Sequence, residues 1–368
     1  MTTSRLHELS AHGVSVWIDS LSREMLHSGQ LAALIADDSV VGVTSNPTIF
    51  QKALAEGDLY DEQLREVAAT TDDATEIFLA LAMDDIREAC DLMRPVWEQT
   101  EGIDGFVSLE VLPELAYDRE RTFEQAMRFN KEVDRPNLYV KIPATEPGLG
   151  AIEDCTARGV PINITLIFSL DRYAAVAEAY IRGLERLVAS GGDPRKVPSV
   201  ASFFVSRVDT EADRRLEEVG RTDLQGKLAV ANAKLAYARW KETFAGDRWD
   251  FLLSKGARSQ RCLWASTSTK NPAYRDVLYV EELIGRDVVN TMPLETIRAF
   301  QDHGETRETL ETGLAEAQSL LDELARAGVD YDDVVDTLEA EGIEKFIDSF
   351  TNLLGGIEDK VDAVVTTR

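Results

Sequence analysis

Short apolar runs recur along the chain, and each is followed by a longer stretch whose apolar residues return every three or four positions. A run of four to eight apolar or alternating residues is strand-like, and the longer spacing marks one face of a helix. Eight runs predict eight strands: 14–19 (VSVWID), 40–45 (VVGVTS), 105–111 (GFVSLEV), 138–143 (LYVKIP), 161–168 (PINITLIF), 199–205 (SVASFFV), 261–265 (RCLWA) and the weak 287–290 (DVVN). Between them, Ile77, Leu81, Met83 to Ile86 and Leu92 form one helical stripe, and Tyr173, Val176, Ala177, Tyr180 and Leu184 form another. Strand and helix alternate throughout. The expected class is α/β, a parallel (β/α)8 barrel of the TIM type with functional residues at the carboxyl ends of its strands. A doubly wound open sheet is the alternative, but it more commonly carries a glycine-rich phosphate loop, and neither GxGxxG nor GxxxxGK[ST] occurs here.

A barrel of this kind needs about 250 residues, and this chain has 368. The surplus is expected as helical insertions near 47–104 and 208–260 and as a helical tail from 305. In the tail, Leu310, Leu314, Ala317, Leu321 and Leu324 share one stripe, and Ile343, Phe346, Ile347, Phe350, Leu354 and Ile357 share another. These read as packing helices. With no Ser/Pro-rich linker, repeat or low-complexity tract, a single domain over 1–368 is expected.

Polar side chains inside otherwise apolar strands are the candidate chemistry. In LYVKIP, Tyr139 and Lys141 share the face opposite Leu138, Val140 and Ile142, which points Lys141 into the barrel. Burial there disfavours the ammonium form, and an uncharged amine is a nucleophile for carbonyls. Asp19 and Glu110 lie at or near the carboxyl ends of their strands and complete an acid–base set. Asn163 and Thr165 share a face of PINITLIF, and Asn46 ends the second strand. Singly, each of these reads as a cap or a satisfied core hydrogen bond; together they line one polar cavity. The four histidines (His7, His12, His27, His303) fall outside the strands, so neither a Ser–His–Asp triad nor a His-ligated metal is expected. Acidic pairs such as Asp72–Asp73, Asp84–Asp85 and Asp332–Asp333 read as solvated faces or first-turn charges.

Charge narrows the partners. The chain holds 39 Lys and Arg against 66 Asp and Glu, a net of −27. Nucleic acid and anionic membrane surfaces, both of which require basic patches, are not expected as partners. Three widely spaced cysteines (Cys90, Cys155, Cys262) suit buried thiols in a reducing compartment. With no signal-peptide pattern at the N-terminus and no apolar run near 18 residues, the expected location is the cytoplasm.

Six blocks carry a family resemblance: GVTSNPTIF at 42–50, SLEV at 108–111, YVKIPAT at 139–145, INITLIFS at 162–169, SFFVSRVD at 202–209 and RCLWASTSTKNPAY at 261–274. In this order, over essentially the whole length, they resemble transaldolase in its longer bacterial form. The resemblance implies a Schiff-base (β/α)8 transferase without metal or organic cofactor, acting in the non-oxidative pentose phosphate pathway. It would move a dihydroxyacetone unit from sedoheptulose 7-phosphate to glyceraldehyde 3-phosphate, yielding erythrose 4-phosphate and fructose 6-phosphate. It implies Lys141 as the Schiff-base former, Asp19 as acid–base for carbon–carbon cleavage, and Glu110 with Thr165 as the pair assisting dehydration and hydrolysis through a water. Asn46 and Asn163 would bind substrate hydroxyls. Arg207 would bind the phosphate, with Ser202 and Phe204 beside it. Ser266 and Lys270 follow from a block with extra residues relative to shorter transaldolases, which leaves Arg261 a competitor for the second cation. The ordinary reading of Arg207 is an ion pair with Asp209 or Asp213. A monomer or homodimer is expected. The rival activities are a Schiff-base aldolase that releases dihydroxyacetone and a catalytically silent sugar-phosphate-binding barrel.

Overall fold

The computed structural model describes residues 4–55 and 57–366, the last two of these by backbone alone. Eight strands form in the eight anticipated runs: β1 (Val14–Ile18), β2 (Val40–Val43), β3 (Phe106–Glu110), β4 (Leu138–Pro143), β5 (Ile162–Ile167), β6 (Ser199–Phe204), β7 (Arg261–Ala265) and β8 (Val288–Met292). All neighbours are parallel and pair in chain order, and β1 closes on β8. The fold is a (β/α)8 barrel with additional helices. β8 runs two residues past the anticipated end at Asn290, because Thr291 and Met292 pair with Trp17 and Ile18 of β1, a partner that local sequence does not reveal.

The surplus residues form helices in the anticipated places. Pro47–Ala55, Asp61–Ala68 and Ala74–Gln99 stand between β2 and β3; Ser206–Glu218, Leu228–Thr243 and Asp247–Ser254 stand between β6 and β7; Leu314–Ala327 and Tyr331–Thr366 make the tail. Among the described residues no helix is long and apolar enough to cross a membrane.

Aromatic rings fill the lower half of the barrel. Tyr139 stacks on Phe106 at 4.0 Å and on Trp17 at 6.1 Å between centroids. A Cβ at position 42 would fall 2.3 Å from the Trp17 indole, so β2 needs Gly42 to close over this plug. Beneath it, at the amino end, Arg261 pairs with Asp104 at 2.9 Å and donates to Ser15 Oγ. Arg261 therefore sits on the opposite side of the plug from the carboxyl mouth. As the first residue of β7 it is one full strand length from the place the phosphate reading required.

Two further expectations need correction. Asp85 is not on a solvated face: it is buried, ion-paired to Arg23 at 2.8 Å, and accepts from the Tyr60 hydroxyl at 2.6 Å. Burial raises its pKa, against the pull of Tyr60 and Arg23. The tail also does more than pack on the barrel wall. Phe350 meets Phe78, which meets Phe50, and Thr48 Oγ1 donates to Ser349 Oγ at 3.0 Å. These contacts lay the last helix across the helices that follow β2 and bring Phe346 to the barrel mouth.

Candidate active site

A cavity of about 320 Å3 opens at the carboxyl ends of the strands. Its floor is set by strand register. Glu110 of β3 pairs with Lys141 of β4, which pairs with Asn163 of β5, so three polar side chains project inward side by side. Lys141 Nζ lies 3.2 Å from Glu110 Oε2 and donates to the Ser45 carbonyl at 3.2 Å; the two side chains are 5% and 8% exposed as residues. Burial pushes the Glu110 carboxyl up and the lysine opposes it. Glu110 does not line the main cavity; beside it is a void of about 10 Å3 walled by Ser45, Asn46 and Leu109.

Asp19 follows β1 and lines the cavity beside Lys141. Burial raises its pKa, offset by Lys141, by the Thr44 hydroxyl and by Arg207. Thr44 Oγ1 donates to Asp19 Oδ1 at 2.7 Å and lies 2.6 Å from Thr291 Oγ1. The single Thr44 proton is committed to Asp19, so Thr291 donates to Thr44.

The remaining expected residues divide by position. Thr165, Asn46, Ser202, Phe204, Arg207, Ser266 and Lys270 line the cavity. Thr165 Oγ1 is buried with no hydrogen-bond partner among the described residues, which leaves it free for a bound molecule. A register slip in β5 after Ile164 and a left-handed Leu166 (φ 59°) shape this strand end, and Ser266 at the end of β7 has φ 57°. Non-glycine residues hold this conformation at a cost and concentrate at functional sites. Asn46 Oδ1 caps the following helix by accepting from Ile49 N at 3.0 Å. Asn163 lies beneath the cavity, its amide donating to Ser108 Oγ at 3.0 Å and accepting from Ser202 Oγ at 2.6 Å.

Arg207 stands in the first turn of helix Ser206–Glu218, its guanidinium 5.0 Å above the Phe204 ring and 5.9 Å from that of Phe346. Asp209 and Asp213 do not pair with it; they accept from Ala229 N and Tyr279, and from Gly226 N and Tyr274. Arg207 Nη1 is buried without a partner, and burial draws the guanidinium below its ordinary pKa. Asp19, Glu110 and Glu341 act on it only through space, so among the described residues no carboxylate pairs with it and the guanidinium is open to an anion. Lys270 stands exposed at the rim, bonded to Ser268 Oγ at 2.7 Å.

Sequence reasoning missed Thr44, Thr291, Lys52 and Phe346, all of which line the cavity. Lys52 had a signal: it lies under two turns into the helix that Asn46 caps. Phe346 had none beyond its place in an apolar stripe. Among the described residues no group of three or more His, Cys, Asp or Glu is placed to hold a metal ion.

A parallel (β/α)8 barrel whose mouth holds a buried lysine between two carboxyl groups, with an unpaired arginine above them, defines the chain as an α/β-barrel enzyme. The profile of the Transaldolase/Fructose-6-phosphate aldolase family matches residues 16–357. Relatives named transaldolase include those of Acidothermus cellulolyticus (54% identical, covering 96% of each chain), Mycolicibacterium paratuberculosis (53%, 95% of each) and Frankia alni (51%, 97% of each). The chain belongs to the transaldolase/fructose-6-phosphate aldolase family and is an enzyme of the transferase class.

Proposed function

We propose that the enzyme transfers a dihydroxyacetone unit from sedoheptulose 7-phosphate to glyceraldehyde 3-phosphate through a Schiff base on Lys141, as a step of the non-oxidative pentose phosphate pathway. The observation that carries this reading is the buried Lys141 Nζ, 3.2 Å from Glu110 Oε2, on the floor of a cavity that also holds Asp19.

Lys141 adds to the C2 carbonyl, and the resulting carbinolamine loses water with a proton supplied from Glu110, Thr165 helping to hold the water. Asp19 then takes the proton of the C4 hydroxyl as the C3–C4 bond breaks, and its electron pair flows into the iminium to leave an enamine. Erythrose 4-phosphate departs as the aldehyde. The enamine attacks the aldehyde carbon of glyceraldehyde 3-phosphate, Asp19 returns its proton to the new alkoxide, and hydrolysis frees fructose 6-phosphate and Lys141. The iminium is itself the electron sink, so the scheme calls on no metal or organic cofactor. Arg207, Lys270, Ser202, Phe204 and Ser266 receive the phosphate end, and Asn46 and Asn163 serve the substrate hydroxyls. Three buried free thiols suit work in the cytoplasm.

Borohydride with fructose 6-phosphate tests the reading. Reduction should mark the chain at Lys141, as read by peptide mapping; no adduct, or one that survives Lys141→Ala, overturns it. Steady release of dihydroxyacetone at full rate without an acceptor would instead make the enzyme an aldolase.

A further inference from the structure

One face of helix Ser206–Glu218 grips the segment that follows β7. Ser206, Asp209 and Asp213 are spaced i, i+3 and i+7, a single stripe. Ser206 Oγ is 2.9 Å from Ser266 Oγ, and Ser206 N donates to the Ser266 carbonyl at 3.0 Å. Further along, Asp209 Oδ2 accepts from the Tyr279 hydroxyl at 2.8 Å and Asp213 Oδ2 from the Tyr274 hydroxyl at 2.5 Å. The second oxygen of each carboxyl accepts a backbone amide, Ala229 N at 2.7 Å and Gly226 N at 2.8 Å. Gly226 has φ 71°, and a Cβ there would stand 2.7 Å from the Tyr274 ring, so the tyrosine lies directly against the turn.

The segment is thus tied at Ser266, Tyr274 and Tyr279. Between the first two ties lie Ser268 and Lys270, and among the described residues their side chains bond only to one another. Arg207 rides on the opposing helix. We propose that the Asp213–Tyr274 contact, backed by Asp209–Tyr279, is a positioning clamp that fixes the span between Arg207 and Lys270 and thereby sets affinity for the phosphoryl group of the acceptor. This rests on the phosphate role given above to those two cations. The physical reason is that charge-assisted hydrogen bonds form over a narrow range near 2.8 Å. Two cations on separate elements can both meet one phosphate only if those elements are held in register. Neither Tyr274 nor Asp213 lines the cavity, so their effect must pass through Lys270.

The test compares glyceraldehyde 3-phosphate with unphosphorylated glyceraldehyde as acceptor in the full-length enzyme. Arg207→Ala should raise KM for the phosphorylated acceptor at least about tenfold more than KM for the unphosphorylated one. Tyr274→Phe and Asp213→Asn should each raise the phosphorylated KM roughly three- to tenfold, the scale of one lost hydrogen bond, with kcat within about twofold and the unphosphorylated acceptor untouched. The double variant should be no worse than either single one, and Tyr274→Phe should add nothing once Lys270 is Ala. If Arg207→Ala discriminates between the acceptors but Tyr274→Phe and Asp213→Asn do not, the clamp is wrong. Equal losses on both acceptors with a lowered Tm would reduce it to a structural contact and also overturn it. If Arg207→Ala itself fails to discriminate, the phosphate reading beneath it falls.

Discussion

Lys141 and Glu110 form a buried ion pair, Nζ to Oε2 at 3.2 Å, made by direct pairing of their two strands. Removing one member strands the other. Glu110→Gln should lower kcat about 100-fold or more through the lost proton transfer and should cost up to about 3 kcal/mol of stability, because the buried Lys141 loses its 3.2 Å partner and keeps only the through-space attraction of Asp19. Lys141→Met should cost less, since Glu110, already pushed up by burial, can take a proton. Thermal melts and single-turnover rates check both; equal Tm values for Glu110→Gln and wild type would refute the pairing argument.

Asp19 titrates under the control of Thr44. Burial raises its pKa and the Thr44 hydroxyl lowers it. Thr44→Val should therefore raise it further. A base must be ionised to accept a proton, so the acidic limb of the kcat/KM profile should move to higher pH, with the basic limb unmoved. A shift to lower pH, or none, contradicts this.

Phe346 should behave as part of the active site although it lies in the tail. It is 5% exposed, with Lys141 Nζ and Arg207 Cζ each 5.9 Å from its ring centroid. Phe346→Ala should cost about 3 kcal/mol and lower kcat/KM, whereas Ile347→Ala next to it, 37% exposed, should change stability by less than about 0.5 kcal/mol. Chemical denaturation and a steady-state assay of both variants decide it.

Asp209 should leave a signature in the pH dependence of stability. Its ordinary pKa of 3.8 is pushed up to about 7 by burial. A raised carboxyl contributes stability that is fully present below the unfolded value and is lost as pH rises through the folded one. The slope from this group, at most about 1.4 kcal/mol per pH unit, should therefore lie between 3.8 and about 7. Asp209→Asn should flatten denaturation midpoints across that window; an unchanged slope would show that the carboxyl is ionised throughout.

Substrate capture should not rely on the global field. The protein carries −27, and its last 64 residues hold five basic against seventeen acidic side chains, a net of −12. Sugar phosphates are anions too, so attraction has to be local, and KM should vary little with added salt at low ionic strength. A steep rise in KM over that range would show that long-range steering operates.

Apolar runs and strand alternation made the eight strands legible and turned Lys141 and Asn163 inward, since successive side chains on a strand point to opposite sides and the polar ones share the side away from the apolar helices. It also brought Asp19, Glu110 and Thr165 to light as polar exceptions in apolar runs. The family blocks pointed to Arg207, Ser202, Phe204, Ser266 and Lys270, all of which meet in one cavity, and the family itself is borne out by the profile match. Other features were beyond the reach of local pattern. Arg261 and Lys141 are both strand cations, yet they lie on opposite sides of an aromatic plug, because a strand's register with its neighbours decides which end of the barrel each residue occupies. Asp85 looks like any helix-surface aspartate until Arg23 and Tyr60 arrive from other helices. Phe346 follows Lys141 by some two hundred residues and reaches it only when the last helix folds across the barrel mouth. Local chemistry and period determined which side chains face inward; which of them meet was decided by the closure of the barrel and the docking of the tail, because contacts between residues far apart in the chain are set by packing.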